Sequence, residues 1–186
     1  MTRIVGIAGS LRRHSYNLGL LNAARDLMPD GAELDVRTIE GVPLYNADDE
    51  ESGGIPAAVT TLKDAIAGAD GLLLATPEYN NGMPGVFKNA IDWLSRPPKD
   101  SARVFSGRAV AVIGASPGGF GTILAQDGWL PVLRTLQTRP WFEGRLMVSK
   151  AGNLFDDEGR LTDEPTRERL KDYLAGFTAF ARQSGQ

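Results

Sequence analysis

Four residues within eight positions, Ser10, Arg12, Ser15 and Asn17, supply two hydroxyls, a guanidinium and an amide. They follow an apolar run, Ile4-Val5-Gly6-Ile7-Ala8, and precede Leu18, Leu20, Leu21, Ala24 and Leu27 at helical spacing. A buried strand feeds a polar turn, and the turn feeds a helix. That order gathers free backbone N–H groups and the positive helix end at one point. An anion, most often a phosphate, is the natural occupant. One Ser or Asn here would read as a helix cap, with Arg12 and Arg13 solvated. Four such groups directly behind a strand favour phosphate binding. The turn lacks the three spaced glycines of the dinucleotide fingerprint. It also lacks the Gly-Lys-Ser/Thr of a Walker A loop.

Two further stretches carry unusual chemistry. Pro77 to Gly85 holds two prolines, two glycines and two asparagines around Glu78 and Tyr79. Such a loop is stiff and can present backbone amides to a flat polar ring. Ser116 to Gly121 holds three glycines, so a planar ligand can approach its backbone closely. Each stretch alone reads as an ordinary turn or hinge. Glu78 has the chemistry of a general acid or base, but no second carboxylate or histidine stands beside it. A role in shaping the loop is the better reading.

Composition removes several classes of chemistry. The chain has no cysteine, so disulfides, thiolate nucleophiles and cysteine metal sites are excluded. His14 is the only histidine. A zinc site or a Ser-His-Asp triad would have to use it, and beside two arginines it reads as a surface residue. A net charge of −3, from 20 basic and 23 acidic residues, argues against nucleic acid or a membrane surface as partner. No apolar stretch has the length of a membrane span. The chain enters a strand after two residues, so no signal peptide is expected, and a cytoplasmic location is. The run Asp48-Asp49-Glu50-Glu51 reads as solvated surface, not as a metal site.

The elements that must position these groups follow from hydrophobic periodicity. Strands are expected at about Arg3–Ala8, Glu33–Ile39, Gly71–Ala75, Ala109–Gly114 and Arg145–Ser149. The continuous apolar run Gly71-Leu72-Leu73-Leu74-Ala75 suits a strand buried on both faces. Helix one is expected over Ser15–Met28. Helix two is opened by Pro56 and carries the stripe Ala58, Val59, Leu62, Ala65 and Ile66. Helix three covers Val86–Leu94, and helix four Thr122–Thr138 with a bend at Pro131. A long polar loop from Gly41 to Gly54 and a chain break at Pro97-Pro98 separate them. Thr162 or Asp163 caps the last helix, whose inner face is Leu170, Tyr173, Leu174, Phe177 and Phe180. Strands alternate with helices, without repeat or linker. Residues 1–186 are therefore expected to form one α/β domain, a three-layer sandwich around a five-stranded parallel sheet. Its length and strand number favour the flavodoxin-like order 2-1-3-4-5 over a six-stranded Rossmann sheet. Ligands of such sheets bind at the carboxyl ends of the strands. The three unusual stretches follow strands one, three and four, which is a mononucleotide layout.

With those residues in view, the chain resembles the NADPH-dependent FMN reductase family, in its branch of chromate- and quinone-reducing flavoproteins. The likeness rests on Gly9-Ser10-Leu11-Arg12 with Ser15 and Asn17, on Pro77-Glu78-Tyr79-Asn80, and on Ser116-Pro117-Gly118-Gly119. It extends to Gly159-Arg160-Leu161-Thr162-Asp163 before the last helix. The resemblance implies a flavodoxin-like fold and bound FMN, with NADPH or NADH as co-substrate. It places Ser10, Arg12, Ser15 and Asn17 on the phosphate. It places Pro77, Glu78, Tyr79 and Asn80 along the isoalloxazine edge, largely through backbone groups. Ser116, Gly118 and Gly119 lie along the other side of the ring. No role is implied for Arg13 or His14. Hydride would pass to the flavin and on to a small-molecule acceptor by a ping-pong scheme, the acceptor being a quinone, chromate, an azo compound or free flavin. No protein residue acts as a catalytic group. Family members are dimers or tetramers, so a homodimer or homotetramer is expected. Trp93, Leu94, Trp129, Leu130 and Leu133 on helices three and four are its candidate interface, unless they pack within one subunit. A flavodoxin-type electron carrier or a flavin-state redox sensor would share this fold without substrate turnover.

Overall fold

The computed structural model describes residues 1–183. Its sheet is parallel throughout. Strands β1 (Thr2–Ala8), β2 (Ala32–Thr38), β3 (Gly71–Ala75) and β4 (Ala109–Ala115) run in the order β2-β1-β3-β4-β5, with β5 (Arg139–Pro140) and β6 (Leu146–Val148) both on β4. This is the flavodoxin-like order. The apolar runs of β1 and β3 are buried on both faces because helices cover both. Helices α1 (Tyr16–Asp26) and α7 (Glu164–Arg182) pack Leu20, Leu21, Leu174 and Phe177 against one face. Helices α3 (Ala57–Ala67), α4 (Gly85–Leu94), α5 (Pro98–Phe105) and α6 (Ile123–Thr135) pack Val59, Ile66, Phe87, Phe105 and Trp129 against the other. Asp163 caps α7 by accepting from the Thr166 N–H at 3.0 Å. No helix among the described residues is long and apolar enough to cross a membrane.

The strand expected at Arg145–Ser149 is present as β6, pairing Ile113 to Ala115, and an unexpected short strand, β5, precedes it on the same edge and pairs Ala109 and Val110. Arg139 and Trp141 N–H donate to the Arg108 and Val110 carbonyls, both at 2.8 Å, and the pairing then lapses until β6. The Trp141 ring turns inward onto Tyr173 and Phe177, with ring centroids 4.8 and 5.9 Å away. The ring fits because Gly144 and Gly176 lie against it; a Cβ there would stand 2.5 and 2.7 Å from the indole. The Val112 carbonyl, between the two pairings, accepts from the Tyr173 hydroxyl at 3.1 Å.

Two helices were absent from the periodicity. The acidic stretch forms α2 (Ala47–Gly53), where Asn46 accepts from the Asp48 N–H at 3.1 Å and acidic residues fill the first turn. Beyond Pro97-Pro98 the chain forms α5, with proline at its first position. The candidate interface also changes. Trp93, Leu94, Trp129 and Leu133 are at most 2% exposed, and only Leu130, at 39%, faces out. The tryptophans lie on the sheet side of their helices, where each indole N–H has an internal partner. Trp93 donates to the Pro43 carbonyl at 2.9 Å and Trp129 to the Thr76 hydroxyl at 3.1 Å.

One buried charge ties α3 to α5. The Lys63 side chain is 4% exposed and sits 2.5 Å from Asp100; its ammonium also donates to the Arg96 carbonyl. Hydrogen bonds from Arg103 and from Lys63 hold the Asp100 carboxyl well below the usual carboxylate range. A depressed carboxyl stabilises the fold at pH values above its unfolded pKa of about 4, and that gain is lost as pH falls through the folded value. Asp100→Asn strands the Lys63 charge, and urea unfolding at pH 7 should show a loss of about 1–3 kcal/mol, moderated by the partial exposure of Asp100. The gap to wild type should be constant above about pH 5 and shrink below about pH 4.

Candidate cofactor site at the strand ends

The carboxyl ends of β1, β3 and β4 leave the sheet side by side. Gly9 N–H donates to the Ala75 carbonyl at 2.9 Å, and Thr76 N–H to the Ile113 carbonyl at 2.8 Å. Each loop is thus pinned to the next strand. Gly9 must be glycine, since a Cβ there would stand 2.0 Å from the Phe87 ring. That ring packs edge-on against Trp129, centroids 4.9 Å apart, beneath the loops.

In the first loop, Ser15 caps α1, its hydroxyl oxygen accepting from Asn17 N–H at 3.2 Å and Leu18 N–H at 3.5 Å. Ser10 accepts from Arg12 N–H at 3.2 Å. Both serines are buried, yet each hydroxyl proton remains a donor. Arg12, Arg13 and His14 are exposed, and Arg12 has no ion pair among the described residues. Asn17 also has a structural partner. Its amide donates to the Ala115 carbonyl and its amide oxygen accepts from Ala115 N–H, both at 2.9 Å. It is 3% exposed. One N–H and the oxygen of the carboxamide clamp α1 to the end of β4, and the second amide N–H remains a donor.

In the second loop, Tyr79 and Gly82 exchange backbone hydrogen bonds at 3.0 and 3.1 Å. Asn80 and Asn81 between them have φ of 49° and 60°, the paired left-handed geometry of a type I′ turn. Asparagine tolerates it better than other side chains do. Pro77 is buried, and Tyr79 is 47% exposed at the rim. Glu78 turns inward. Its Oε2 accepts from Leu124 N–H at 2.8 Å and Ala125 N–H at 2.9 Å. Thr122, the residue at the cap of α6, makes no side-chain cap bond, so Glu78 supplies the cap from the neighbouring loop. A carboxylate held by two backbone donors is a loop-shaping group, as the sequence suggested.

The third loop is held from beneath. Ser116 N–H donates to Val148, Ala151 N–H to the Ser116 carbonyl and Lys150 N–H to the Gly118 carbonyl, at 2.9, 3.0 and 2.9 Å. The Ser116 hydroxyl donates to the Gly121 carbonyl. The glycines separate into two kinds. Gly114 is required by the chain itself, because a Cβ would meet Thr122 Oγ1 at 2.1 Å and the Thr76 carbonyl at 2.3 Å. Gly121 has φ of 64°. Gly118 and Gly119 have neither reason. A Cβ on Gly119 meets nothing within 4 Å, and one on Gly118 meets only Ser116 Oγ at 3.9 Å. Their bare backbone leaves a cradle that a side chain would fill. Hydroxyl and guanidinium donors at one end and a side-chain-free surface at the other fit a phosphate-bearing planar cofactor such as FMN. Sequence reasoning missed Phe120, 79% exposed at the tip of this loop, and the Glu78 cap on α6. The cap has no local signal, because its partner lies 46 residues away.

Comparison with known proteins adds an independent line. The family model described as NADPH-dependent FMN reductase matches residues 2–153. An NAD(P)H-dependent FMN reductase of Pseudomonas aeruginosa is 44% identical over 181 residues, 97% of this chain and 96% of that protein. A 2-hydroxy-1,4-benzoquinone reductase of a Burkholderia species is 37% identical over 180 residues, 97% and 96% of the two chains. The solved structure of a flavoenzyme NAD(P)H:acceptor oxidoreductase from Paracoccus denitrificans superposes with a TM-score of 0.86 at 32% identity, covering 99% of both chains.

The two kinds of glycine give opposite variants. Gly119→Val should leave the thermal midpoint of the FMN-free protein within about 2 °C of wild type, since about 1 kcal/mol moves it by 2–4 °C at this size. It should weaken FMN retention about tenfold or more, roughly 1.4 kcal/mol. Gly114→Ala should instead lower stability by about 1–3 kcal/mol through overpacking. Calorimetry of the stripped proteins and FMN titration separate the two effects.

Proposed function

The chain belongs to the NADPH-dependent FMN reductase family, and on that premise we propose that it is an FMN-dependent NAD(P)H oxidoreductase that reduces quinones. The observation that carries the reading is that the loops after β1, β3 and β4 are pinned side by side, with anion donors on the first and the bare backbone of Gly118-Gly119 on the third. Ser10, Arg12 and Ser15 hold the phosphate, and Asn17 fixes the loop that presents them. Pro77, Glu78, Tyr79 and Asn80 line one edge of the ring through their backbone, stiffened by the type I′ turn. Ser116, Gly118 and Gly119 line the other side. When bound, FMN takes a hydride from the reduced nicotinamide and delivers two electrons to an acceptor.

The protein's own work is binding, orientation and electrostatics. Backbone N–H groups of the Pro77–Asn80 loop stabilise negative charge developing at the ring edge without reorganising. No side chain needs to act as nucleophile or base. The Glu78 carboxylate is committed to α6, and burial pushes the Tyr173 hydroxyl up, away from proton transfer at neutral pH. One open face serves both substrates, so NAD(P)⁺ departs before the acceptor enters, a ping-pong order. The same open face admits chromate, azo compounds or free flavin. Residues 1–186 act as one unit. A cysteine-free chain suits a reducing cytoplasm. Assembly into a homodimer or homotetramer through α4 and α6 would use Leu130, the exposed member of the residues named for it, at 39%.

Steady-state assay with NADPH and 1,4-benzoquinone tests the reading. Many turnovers per flavin are expected; a single bleaching event without turnover would instead identify an electron carrier or sensor. Arg12→Ala should weaken FMN retention by about 1.5–3 kcal/mol, the size of a charge-assisted contact, with unchanged retention removing Arg12 from the phosphate site.

A further inference from the structure

The gap between β5 and β6 leaves an open groove of about 420 Å³ between α6 and the outer edge of β4. Val110 and Val112 line it from the sheet, Leu130 and Leu133 from α6, and Phe142 from the segment between β5 and β6. Its volume lies within the range of small-molecule sites. Four of its apolar side chains face water: Ile123 at 43%, Leu124 at 44%, Leu130 at 39% and Phe142 at 67%. Its polar lining is confined to Gln126, Asp127 and Arg145.

The position of the groove matters as much as its chemistry. Ile123 and Leu124 line it and are also the first residues of α6, directly behind the Ser116–Gly121 loop. The Leu124 N–H is the one that Glu78 of the Pro77–Gly85 loop holds. The groove therefore begins where the ring slot ends, and the two are joined through the cap of α6. We propose that it is a subsite for the hydrocarbon side chain of an alkyl- or prenyl-substituted quinone whose ring lies in the slot. This rests on the quinone reductase reading above. The lining favours hydrocarbon over the phosphates of NAD(P)H, since its charged groups are one guanidinium, on Arg145, and one carboxylate, on Asp127. In the reaction, NAD(P)H, a proton and the substituted quinone give NAD(P)⁺ and the hydroquinone; the side chain is unchanged and contributes binding alone.

A homologous series of 2-alkyl-1,4-benzoquinones, methyl to decyl, tests this with the FMN-loaded enzyme at saturating NADPH. Burial of a methylene raises kcat/KM about two- to fourfold, so the series should climb with chain length through falling KM and then level off. Leu130→Asp and Phe142→Ser replace exposed side chains and should flatten the climb while their thermal midpoints stay near wild type. Turnover of the short quinones with a flat wild-type series would overturn the groove and leave the function standing. A climb that persists in both variants also overturns it. A flat series, together with a Leu130→Asp protein that becomes monomeric, assigns the groove to contact between copies and overturns it as well. Absence of turnover with every quinone fails the functional reading and the subsite together.

Discussion

Backbone groups at the carboxyl ends of β1, β3 and β4 have no further strand to pair with, and buried ones need partners. The molecule meets that need with side chains that cross between loops. Asn17 reaches Ala115, 98 residues away, with both ends of its carboxamide. Glu78 reaches the first turn of α6 with one carboxylate oxygen. Trp129 donates to Thr76 from beneath. These bonds join three loops that the chain lays down far apart and hold them side by side. Buried polar groups that are fully satisfied rigidify their surroundings, while a half-satisfied one is costly, so the clamps constrain the site more than any apolar contact does.

A site built this way has a particular chemistry. The recognition surface proposed for it is mostly main chain: the turn at Asn80-Asn81 and the bare Gly118-Gly119 segment. Main-chain donors stay fixed as charge develops, which suits a cofactor that alternates between electron-poor and electron-rich forms. They also discriminate little between acceptors. Selectivity then falls to exposed side chains at the rim, such as Tyr79 and Phe120.

Much of this was legible in the sequence, for physical reasons. Strands buried on both faces read as unbroken apolar runs, so β1, β3 and β4 stood out together with the loops that end them. The capping role of Ser15 followed from its place before a helical stripe. What was not legible depends on distance along the chain or on weak periodicity. α2 has no buried residue, so no apolar stripe marked it. The strand expected at Arg145–Ser149 is β6, but the two-residue β5 before it was not legible, because so short a segment has no periodicity to read. Trp93 and Trp129 looked equally suited to an interface or a core, and their burial and internal hydrogen-bond partners place them in the core. Asn17 was legible as a polar group near the phosphate loop, but its partner was not.

The two borders of the sheet are unlike each other, and both are poor templates for a foreign strand. At one, β5 is two residues long and ends in Pro140, and the chain then swings away before β6. At the other, β2 carries Glu33, Asp35 and Arg37, with Arg37 2.8 Å from Asp35 and Arg3 3.5 Å from it. Short length, proline and charge are the devices that keep sheet borders from recruiting strands of other molecules. The same interruption that opens the groove therefore also guards against edge-to-edge stacking, and crowded solutions of this protein are protected from cross-β aggregation at the side where its ladder is weakest.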